Sequence, residues 1–257
     1  MKAVVLSAGF GKRLRPITDF YPKALVPVAN RPLLDWALER AQRVANDVAV
    51  NVHAGRDAMI AHLRARRVHV SIEEPEALGT AGALGALKGW LGGEGCLVLN
   101  VDAFCPDPLD RLVAGWSGES VRLLVTYDHA RPDFEDMWRF AGASLLPARW
   151  IEKLEARPAG LYEVCWRREL AEGSLELVPS TSIFIDCGAP GDLLAANLTA
   201  SGGQSVIAAD AVVEGSVHQS LVLPGGRVGP AEQLVRAIRL PSGETLLPFP
   251  SSLATHR

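Results

Sequence analysis

The stretch LSAGFGKRLRPITDFYPKALVPVANRPLLDW, residues 6–36, decides how the fold of this chain begins. The apolar run Ala3–Leu6 leads into it and ends at a glycine-containing loop, which is typical of a buried parallel strand. Gly9 and Gly11 allow the backbone to approach a ligand closely and to aim N–H groups at an anion. Basic residues follow, and Lys23 is tethered between stiff prolines. The stretch therefore predicts a phosphate-binding loop after the first strand.

This loop does not fit the two commonest phosphate-binding fingerprints. The third glycine of the dinucleotide pattern G-x-G-x-x-G falls on Leu14, and no G-K-[ST] of a Walker A loop follows. A solvated basic loop is the alternative that glycines and cations alone leave open.

Strand-like and helix-like patterns alternate through most of the chain. Such alternation predicts an α/β fold with a mostly parallel sheet and helices on both faces. Ligands bind such sheets beyond the carboxyl ends of the strands, so the loop 7–30, Glu73–Gly79 and Asp102 are expected on one rim. The predicted strands are 3–6, 47–52, 68–72, 96–102, 121–127, 139–147 and 180–186, and the predicted helices are 33–44, 56–66, 80–91, 106–116 and 190–198.

The pattern changes from Ser205 onward. Ile207, Val213 and Val228 are separated by small and turn residues at about six-residue spacing, which resembles the hexapeptide repeats of a left-handed β-helix. We predict a first domain over 1–202 and a short β-helix-like tail over 203–257. A plain β-hairpin is the alternative for the tail.

Composition narrows the class of protein. The 257 residues carry a formal net charge of −3, so the chain has no electrostatic footprint for nucleic acid or an anionic membrane. No apolar stretch reaches the roughly 18 residues that span a bilayer, and no signal peptide is evident. The four cysteines are widely spaced without a C-x-x-C pair, which favours buried thiols in a reducing compartment. We therefore expect a cytoplasmic protein.

The opening stretch as a whole resembles the sugar-nucleotide pyrophosphorylase family, nucleotidyltransferases that join a nucleoside triphosphate to a sugar 1-phosphate. The family pattern L-A-A-G-x-G-x-R-L-x-P-L-T, followed by P-K-P-L-x-P-V, is matched almost throughout, with Ser7 and Ala24 as departures. The resemblance implies a Rossmann-like nucleotidyltransferase sheet in the first domain. It also implies that Arg13 clamps the triphosphate and that Lys23 stabilises charge at the α-phosphate. The implied nucleotide-binding residues of this stretch are Leu6, Ala8, Gly9 and Gly11.

A second match lies at EEPEALGTAGAL, residues 73–84, which resembles the base- and ribose-reading loop of the family. The resemblance assigns nucleoside contacts to Gly79, Thr80 and Ala81 and base reading to Glu74. A carboxylate only accepts hydrogen bonds, and guanine offers two adjacent donors, N1–H and N2–H₂. Glu74 therefore favours GTP over UTP or dTTP, although some uridylyltransferases resemble it here. A solvated acidic turn is the alternative.

Two aspartates occupy family positions for metal binding. Asp102 ends LVLNVD, and Asp186 lies in IFIDCGAPGDLLAAN. In the family these two carboxylates jointly hold Mg²⁺, which prefers hard oxygen ligands. Each aspartate alone would also fit a helix cap or a turn.

The sugar side of the match is weaker. The family usually has a longer hairpin with a Glu-Lys-Pro whose lysine holds the sugar phosphate, but here only DHARPDFEDMWR separates Tyr127 from Phe140. Arg131 or Arg139 are candidates to replace that lysine. Gly142, in a strand that resembles Y-x-G-I-x-x-L, is predicted to lie beside the sugar.

Together these features predict an Mg²⁺-dependent enzyme that transfers a nucleoside monophosphate from a triphosphate, with GTP favoured, to a sugar 1-phosphate. The resemblance is greatest to mannose- and heptose-1-phosphate guanylyltransferases. One alternative is a uridylyltransferase of the N-acetylmuramate 1-phosphate type, and another is a non-catalytic sugar-nucleotide sensor or regulatory subunit. The sensor is disfavoured because the chain retains all four charged residues, Arg13, Lys23, Asp102 and Asp186. The absence of the sugar-phosphate lysine favours it. A tail of this kind often mediates subunit contacts in the family, which leaves a homodimer open.

Overall fold

The structure is a computed structural model that describes residues 1–135 and 137–248. The last nine residues of the predicted tail, 249–257, lie outside the described residues. The strands are β1 (Lys2–Leu6), β2 (Pro27–Val28), β3 (Arg31–Pro32), β4 (Asp47–Val52), β5 (His69–Ile72), β6 (Cys96–Asn100), β7 (Ala103–Phe104), β8 (Val121–Tyr127), β9 (Trp138–Leu146), β10 (Leu175–Pro179), β11 (Ile185–Asp186), β12 (Val206–Ile207), β13 (Val212–Val213), β14 (Ser216–His218), β15 (Leu221–Val222), β16 (Arg227–Val228), β17 (Gln233–Val235), β18 (Ile238–Arg239) and β19 (Thr245–Leu246).

Most of the helices are short. The α-helices are α1 (Leu33–Val44), α2 (Arg56–Leu63), α3 (Gly79–Ala86), α4 (Lys88–Leu91), α5 (Asp110–Val113), α6 (Ala148–Ile151), α7 (Arg167–Ala171) and α8 (Pro190–Ala200). Three 3₁₀ turns, Lys12–Leu14, Ile17–Asp19 and Lys23–Leu25, follow one another in the opening loop, and a π-helical turn covers Tyr162–Trp166.

Contacts divide the chain into two compact units that are not continuous in sequence. The sheet unit contains Met1–Phe10, Leu34–Val101 and Cys105–Phe184. The loop–tail unit contains Gly11–Leu33, Asp102–Phe104 and the described residues from Ile185 onward. The predicted domain boundary at 202/203 follows sequence order whereas these units follow contacts, so that boundary stays a prediction.

The sheet unit is built on seven strands in the order β10-β8-β9-β6-β1-β4-β5. β9 runs antiparallel to β6 and β8, while the other neighbouring pairs are parallel. Leu6 at the end of β1 lies opposite Asn51 of β4 and Asn100 of β6. The carboxyl ends of the parallel strands therefore share one edge, and the predicted α/β class with a mostly parallel sheet is confirmed.

Both faces of this sheet are covered. Successive strand residues point to opposite faces, and in β1 both Val4 and its neighbour Val5 are fully buried. On one face, Val4 belongs to an apolar cluster with Leu84 of α3 and Trp150 of α6. Burial on both sides explains why the strands appear in the sequence as continuous apolar runs rather than alternating ones.

The helix predicted over 106–116 is wrong in length, because only Asp110–Val113 is helical. Leu109 has φ 68, in the left-handed region that interrupts a helix. The Leu109 N–H donates to Oδ1 of Asp107 at 2.9 Å, so a local turn replaces the first helical residues.

The strand predicted over 180–186 is also displaced. The sheet strand is β10, Leu175–Pro179, and only Ile185–Asp186 of the predicted segment is extended in a ladder. Ser180 ends β10 because its hydroxyl donates to Oδ2 of Asp107 at 2.7 Å and accepts the Ser182 N–H at 3.1 Å. This side-chain competition with the ladder turns the chain.

In the loop–tail unit, the tail strands β12 to β18 form short parallel ladders, and β19 pairs antiparallel with β18. Val206 lies opposite Leu221, and Ser216 lies opposite Gln233, so partners in the parallel ladders are 15 to 17 residues apart. Val228 contributes to a small buried apolar cluster with neighbouring tail residues. The predicted strands of the tail are present, whereas the left hand of a β-helix stays a prediction.

The opening loop and the tail are hydrogen-bonded to each other within the loop–tail unit. The Tyr21 hydroxyl donates to the Pro224 carbonyl at 2.9 Å, and the Asn30 amide donates to the Ile207 carbonyl at 2.8 Å. The fully buried Asn197 side chain of α8 also bonds the backbone of the loop. These bonds hold a loop that has little regular structure of its own.

Among the residues that the structure describes, no helix combines the length and the apolar character that crossing a bilayer requires.

All four cysteines are unpaired and buried, as predicted. Burial raises the pKa of the Cys96, Cys165 and Cys187 thiols to about 12 and also raises the pKa of Cys105. The thiolate is the reactive form, so these groups stay protonated and unreactive at neutral pH.

We expect the folded protein to release almost no chromophore from an aromatic disulfide reagent at pH 8, and all four thiols to react after addition of guanidinium chloride. A spectrophotometric thiol titration measures both states. A thiol that reacts within seconds in the folded protein would contradict this burial.

Candidate active site

Gly11 allows the opening loop to fold back onto Lys23. Its φ is +65, and a Cβ at this position would lie 2.9 Å from both Lys23 Cβ and Thr18 Cγ2. The Gly11 carbonyl accepts the Thr18 hydroxyl at 3.0 Å and the Leu14 N–H at 2.9 Å. A glycine is therefore required here by the fold of the loop itself.

Lys23 forms an ion pair with Asp102. The Lys23 Nζ lies 2.9 Å from Asp102 Oδ2 although the two residues are 79 positions apart in the chain. Only 10% of the Lys23 side chain is exposed, and Pro22 leads directly into the 3₁₀ turn that carries it. The lysine predicted to act at a phosphate is thus held in one orientation beside a predicted metal ligand.

Arg13 lies beside the second predicted metal ligand. Its Nη2 is 3.9 Å from Asp186 Oδ2, and 74% of the Arg13 side chain is exposed. A Cβ on Gly188 would lie 2.8 Å from Arg13 Nη2 and 2.9 Å from Asp186 Oδ1. Gly188 therefore leaves the space that this pair occupies. Sequence reasoning missed Gly188, and its signal is a glycine two residues after the aspartate.

A short ladder brings the two aspartates together. β7 and β11 pair antiparallel with Asp186 opposite Ala103, and the Cys187 N–H donates to the Asp102 carbonyl at 2.9 Å. Burial is the main cause of the raised pKa of the Cys187 thiol, and the Asp186 and Asp102 carboxylates raise it as well. Both carboxylates therefore act on the same buried thiol. We call Arg13, Lys23, Asp102 and Asp186 the charge cluster.

The donor set of the charge cluster fits a hard divalent cation. Asp102 and Asp186 supply carboxylate oxygens from adjacent backbone positions, and Mg²⁺ in proteins commonly takes one or two carboxylates plus water and phosphate oxygens. Over residues 1–135 and 137–248, no group of three or more His, Cys, Asp or Glu side chains gathers in a way that would enclose a metal. Two carboxylates would leave most of the coordination shell of such an ion to water and phosphate oxygens.

In the sheet unit, Gly9 has a different role from Gly11. A Cβ on Gly9 would meet no atom within 4 Å, and its φ is not in the left-handed region. The neighbouring Phe10 side chain is 55% exposed and makes an edge contact with His53 at 5.2 Å between ring centroids. The fold does not require a glycine at Gly9, so this position is open to a ligand. Leu6 and Ala8, in contrast, are buried and can offer only their backbone.

Adjacent glutamates of the 73–79 loop have opposite environments. Glu73 is only 2% exposed, and its carboxylate accepts the Asn51 amide at 2.7 Å and the Leu78 N–H at 2.8 Å. The side chain of Glu74 is 62% exposed and forms an ion pair with Arg56. The solvated acidic turn is thus wrong for Glu73, which organises the loop, whereas Glu74 presents its carboxylate to solvent.

Gly79 and its neighbours contact the chain's own backbone. Gly79 has φ +69, and a Cβ on it would lie 2.6 Å from the Ala159 carbonyl oxygen. The same carbonyl accepts the Ala81 N–H at 2.9 Å, and the Thr80 hydroxyl accepts the Leu161 N–H at 2.8 Å. Packing of α3 against the segment 159–161 accounts for the glycine at Gly79. Nucleoside contact by Gly79, Thr80 and Ala81 therefore stays a prediction.

On the sugar side, Gly142 has a structural reason to be glycine. It has φ +76, and the β8–β9 pairing is irregular between Leu123 and Val125, where β9 contains a bulge. A bulge residue with positive φ favours glycine. Contact between Gly142 and a sugar stays a prediction.

The two arginines considered as substitutes for the missing lysine lie near Asp128. Arg139 Nη1 is 3.3 Å from Asp128 Oδ2 and its guanidinium lies 5.5 Å from the Phe184 ring centroid. Arg131 Nε is 4.0 Å from the same carboxylate oxygen and is more exposed. The short hairpin therefore places two cations around one carboxylate.

Comparison with known proteins places this geometry in a family. Residues 3–180, more than half of the chain, match the model of the MobA-like NTP transferase domain. The chain belongs to this family. Its NTP transferase domain thus includes the seven-stranded sheet, Arg13, Lys23 and Asp102, whereas Asp186 follows the matched residues.

Two curated relatives extend the comparison. The chain is 38% identical over 129 residues to the N-acetylmuramate alpha-1-phosphate uridylyltransferase of Caulobacter vibrioides, covering 46% of this chain and 53% of that protein. It is 29% identical over 229 residues to the mannose-1-phosphate guanyltransferase of Aspergillus fumigatus, covering 76% of this chain and 62% of that protein. The chain therefore spans less than two thirds of the length of either relative.

A solved structure supports the fold. A UDP-glucose pyrophosphorylase from Acinetobacter baumanii superposes with a TM-score of 0.61 at 19% identity, covering 77% of this chain and 92% of that one. At this identity the likeness concerns the fold of the NTP transferase domain alone.

The two glycines of the opening loop give a matched pair of variants. Gly11→Ala places a Cβ against Lys23 and Thr18 at positive φ, so we expect it to lower the free energy of unfolding by about 1–3 kcal/mol. Gly9→Ala has open space, so its change is expected to stay within about 0.5 kcal/mol. Urea denaturation followed by circular dichroism measures both. Equal destabilisation by the two substitutions would contradict the distinction.

Proposed function

We propose that this NTP transferase is a sugar-1-phosphate nucleotidyltransferase. The observation that carries the proposal is the charge cluster, in which two cations and two carboxylates from three separate segments lie together around one short ladder. Such a set matches the need to bind a triphosphate and neutralise charge at phosphorus. The names of both curated relatives, a uridylyltransferase and a guanyltransferase acting on sugar 1-phosphates, support the same reaction.

In the proposed reaction an oxygen of the sugar phosphate attacks the α-phosphorus of the nucleotide. A new P–O bond forms as the bond between the α-phosphorus and its bridging oxygen breaks, and pyrophosphate leaves with that electron pair. The attacking phosphate is already ionised, so no strong general base is needed. Lys23 neutralises charge at the α-phosphate, and the exposed Arg13 binds the leaving pyrophosphate.

We propose that Mg²⁺ is the cofactor and that Asp102 and Asp186 hold it. The ion, when bound, supplies positive charge that offsets the developing charge on the phosphates. Both carboxylates pair with a cation in the structure, so they are already aimed into the charge cluster. Phosphate binding by Lys23 and Arg13 would release them for the metal.

For the nucleoside we propose contacts from the backbone around Gly9 and from the loop that ends at Gly79–Ala81, with Glu74 as the base-reading residue. An exposed carboxylate favours guanine, so GTP is the proposed donor. A uridylyltransferase is the second candidate, because the Caulobacter relative carries that name. The acceptor is proposed to be a sugar 1-phosphate in the cytoplasm.

Substitution of the charge cluster tests the reaction. We expect Asp102→Ala, Asp186→Ala and Lys23→Ala each to lower kcat by about 100-fold or more, as removal of one electrostatic group at a reacting centre typically does. Pyrophosphate release is measured across a grid of nucleoside triphosphates and sugar 1-phosphates. Asp47→Ala and Lys153→Ala are the matched controls, since both side chains are exposed and lie outside the charge cluster.

Undiminished kcat in the Asp102→Ala or Lys23→Ala enzyme would contradict the assigned roles. Nucleotide binding by the wild-type protein without turnover of any pair in the grid would contradict the transferase and favour the sensor.

Removal of divalent metal gives an independent test. We expect chelation with EDTA to abolish pyrophosphate release and added Mg²⁺ to restore it, because two carboxylates alone repel the phosphates they must accompany. The Asp186→Ala variant is expected to need a higher Mg²⁺ concentration for half-maximal rate. Full activity in EDTA would contradict a metal requirement.

A further inference from the structure

Arg56 forms an exposed ion pair with Glu74, the proposed base-reading residue. The Arg56 Nη1 donates to Glu74 Oε1, and the two side chains remain 45% and 62% exposed. An exposed ion pair contributes little to stability, so folding alone gives weak reason for it. The guanidinium keeps further N–H donors after it has paired with one carboxylate oxygen.

The pair lies at the edge of the sheet where the opening loop begins. Arg56 is the first residue of α2, which follows β4 after a three-residue turn, and Glu74 follows β5, which pairs in parallel with β4. His53 joins the two segments because its Nδ1 lies 2.9 Å from the Glu73 carbonyl oxygen. The same His53 ring meets the exposed Phe10 ring. An aromatic face for stacking and a polar pair for edge recognition thus belong to one patch of the sheet unit.

We propose that Arg56 and Glu74 together select guanine by its Watson–Crick edge. The pair presents one donor, from Arg56, followed by two acceptors, the carboxylate oxygens of Glu74. Guanine presents the complementary series along one edge: the O6 acceptor, then the N1–H donor, then the N2–H₂ donor. This inference rests on the proposed function and deepens it, since it names the base and adds Arg56 as a specificity-determining residue.

The other bases match this series less well. Uracil offers O4 and N3–H in the right order, but its O2 then faces a carboxylate oxygen. Adenine and cytosine present an amino donor to the Arg56 donor and an acceptor to Glu74, so both positions are mismatched. Arg56 therefore rejects adenine and cytosine, and the second oxygen of Glu74 separates guanine from uracil. Unpaired polar groups in such a site are what give it selectivity.

Calorimetric binding of the full chain to GTP, ITP, 7-deaza-GTP, UTP, ATP and CTP in Mg²⁺ tests each contact. ITP lacks the N2 amino group and is expected to bind about tenfold more weakly than GTP. The analogue 7-deaza-GTP lacks N7 and is expected to bind like GTP, because the Watson–Crick edge is read rather than the N7 edge. UTP is expected to bind more weakly than GTP, with ATP and CTP weakest.

Variants separate the two residues. Arg56→Ala is expected to weaken GTP about tenfold and to bind ATP at least as well as the wild-type protein, because the opposing donor is gone, so the preference for GTP over ATP falls about tenfold or more. Glu74→Gln replaces one acceptor with a donor and is expected to shift the preference from GTP toward UTP. Arg64→Ala is the matched control, because Arg64 is an exposed arginine at the other end of α2 and is expected to change neither ratio.

Each remaining outcome overturns the inference. Tighter binding of UTP than of GTP, an Arg56→Ala variant with an unchanged GTP-to-ATP ratio, or loss of 7-deaza-GTP binding would contradict the proposed edge recognition. Pyrophosphate release distinguishes this failure from failure of the proposed function. Turnover with UTP preferred leaves the transferase standing and removes the guanine selection, whereas no binding of any triphosphate removes both.

Discussion

The buried side chain of Asn51 holds together the edge of the sheet at which β1, β4 and β5 end. Its Oδ1 accepts the Ser7 N–H at 2.6 Å and its Nδ2 donates to Glu73 at 2.7 Å, while the Ser7 hydroxyl returns a bond to the Asn51 carbonyl at 2.5 Å. Glu73 then accepts the Leu78 N–H. Each of these buried groups would cost about 1–3 kcal/mol if left without a partner, so their positions are mutually fixed.

The proposed nucleoside contacts depend on this network. Ser7 begins the glycine loop, and Glu73 and Leu78 enclose the loop that carries Glu74. Each carboxylate oxygen of Glu73 accepts a bond inside this network, whereas the carboxylate of Glu74 faces solvent and Arg56. The network also gives Ser7, a departure from the family pattern, a function that an alanine does not supply.

In the loop–tail unit, the main constraint is the repulsion between two carboxylates. The neighbouring carboxylates of Asp102 and Asp186 repel each other unless cations balance them, and Lys23 and Arg13 supply that balance. Substrate phosphates would pair with the cations and a bound metal with the carboxylates, so the ion pairs would order the charge cluster before the proposed reaction. The tail contributes indirectly, because its Pro224 and Ile207 carbonyls accept hydrogen bonds from the loop that carries both cations.

The sequence by itself determined the α/β class, the parallel sheet and the four members of the charge cluster. Strand–helix alternation and the motif around Arg13 and Lys23 are local signals, which can be recognised without knowledge of tertiary contacts. Sequence could not give the extent of the segments after Asp102 and before Asp186, because side chains of Asp107 and Ser180 end regular structure through bonds to each other.

Only the tertiary structure decided which of two adjacent glutamates is buried, which glycines the fold requires, and which arginine pairs with Glu74. Glu73 and Glu74 are indistinguishable in sequence, yet one is enclosed by Asn51 and the other is exposed. The close approach of the Ala159 backbone requires a glycine at Gly79, whereas no neighbouring atom requires one at Gly9. These outcomes depend on contacts between residues that are far apart in the chain. Composition and motif spacing do not determine which of those residues become neighbours when the sheet forms.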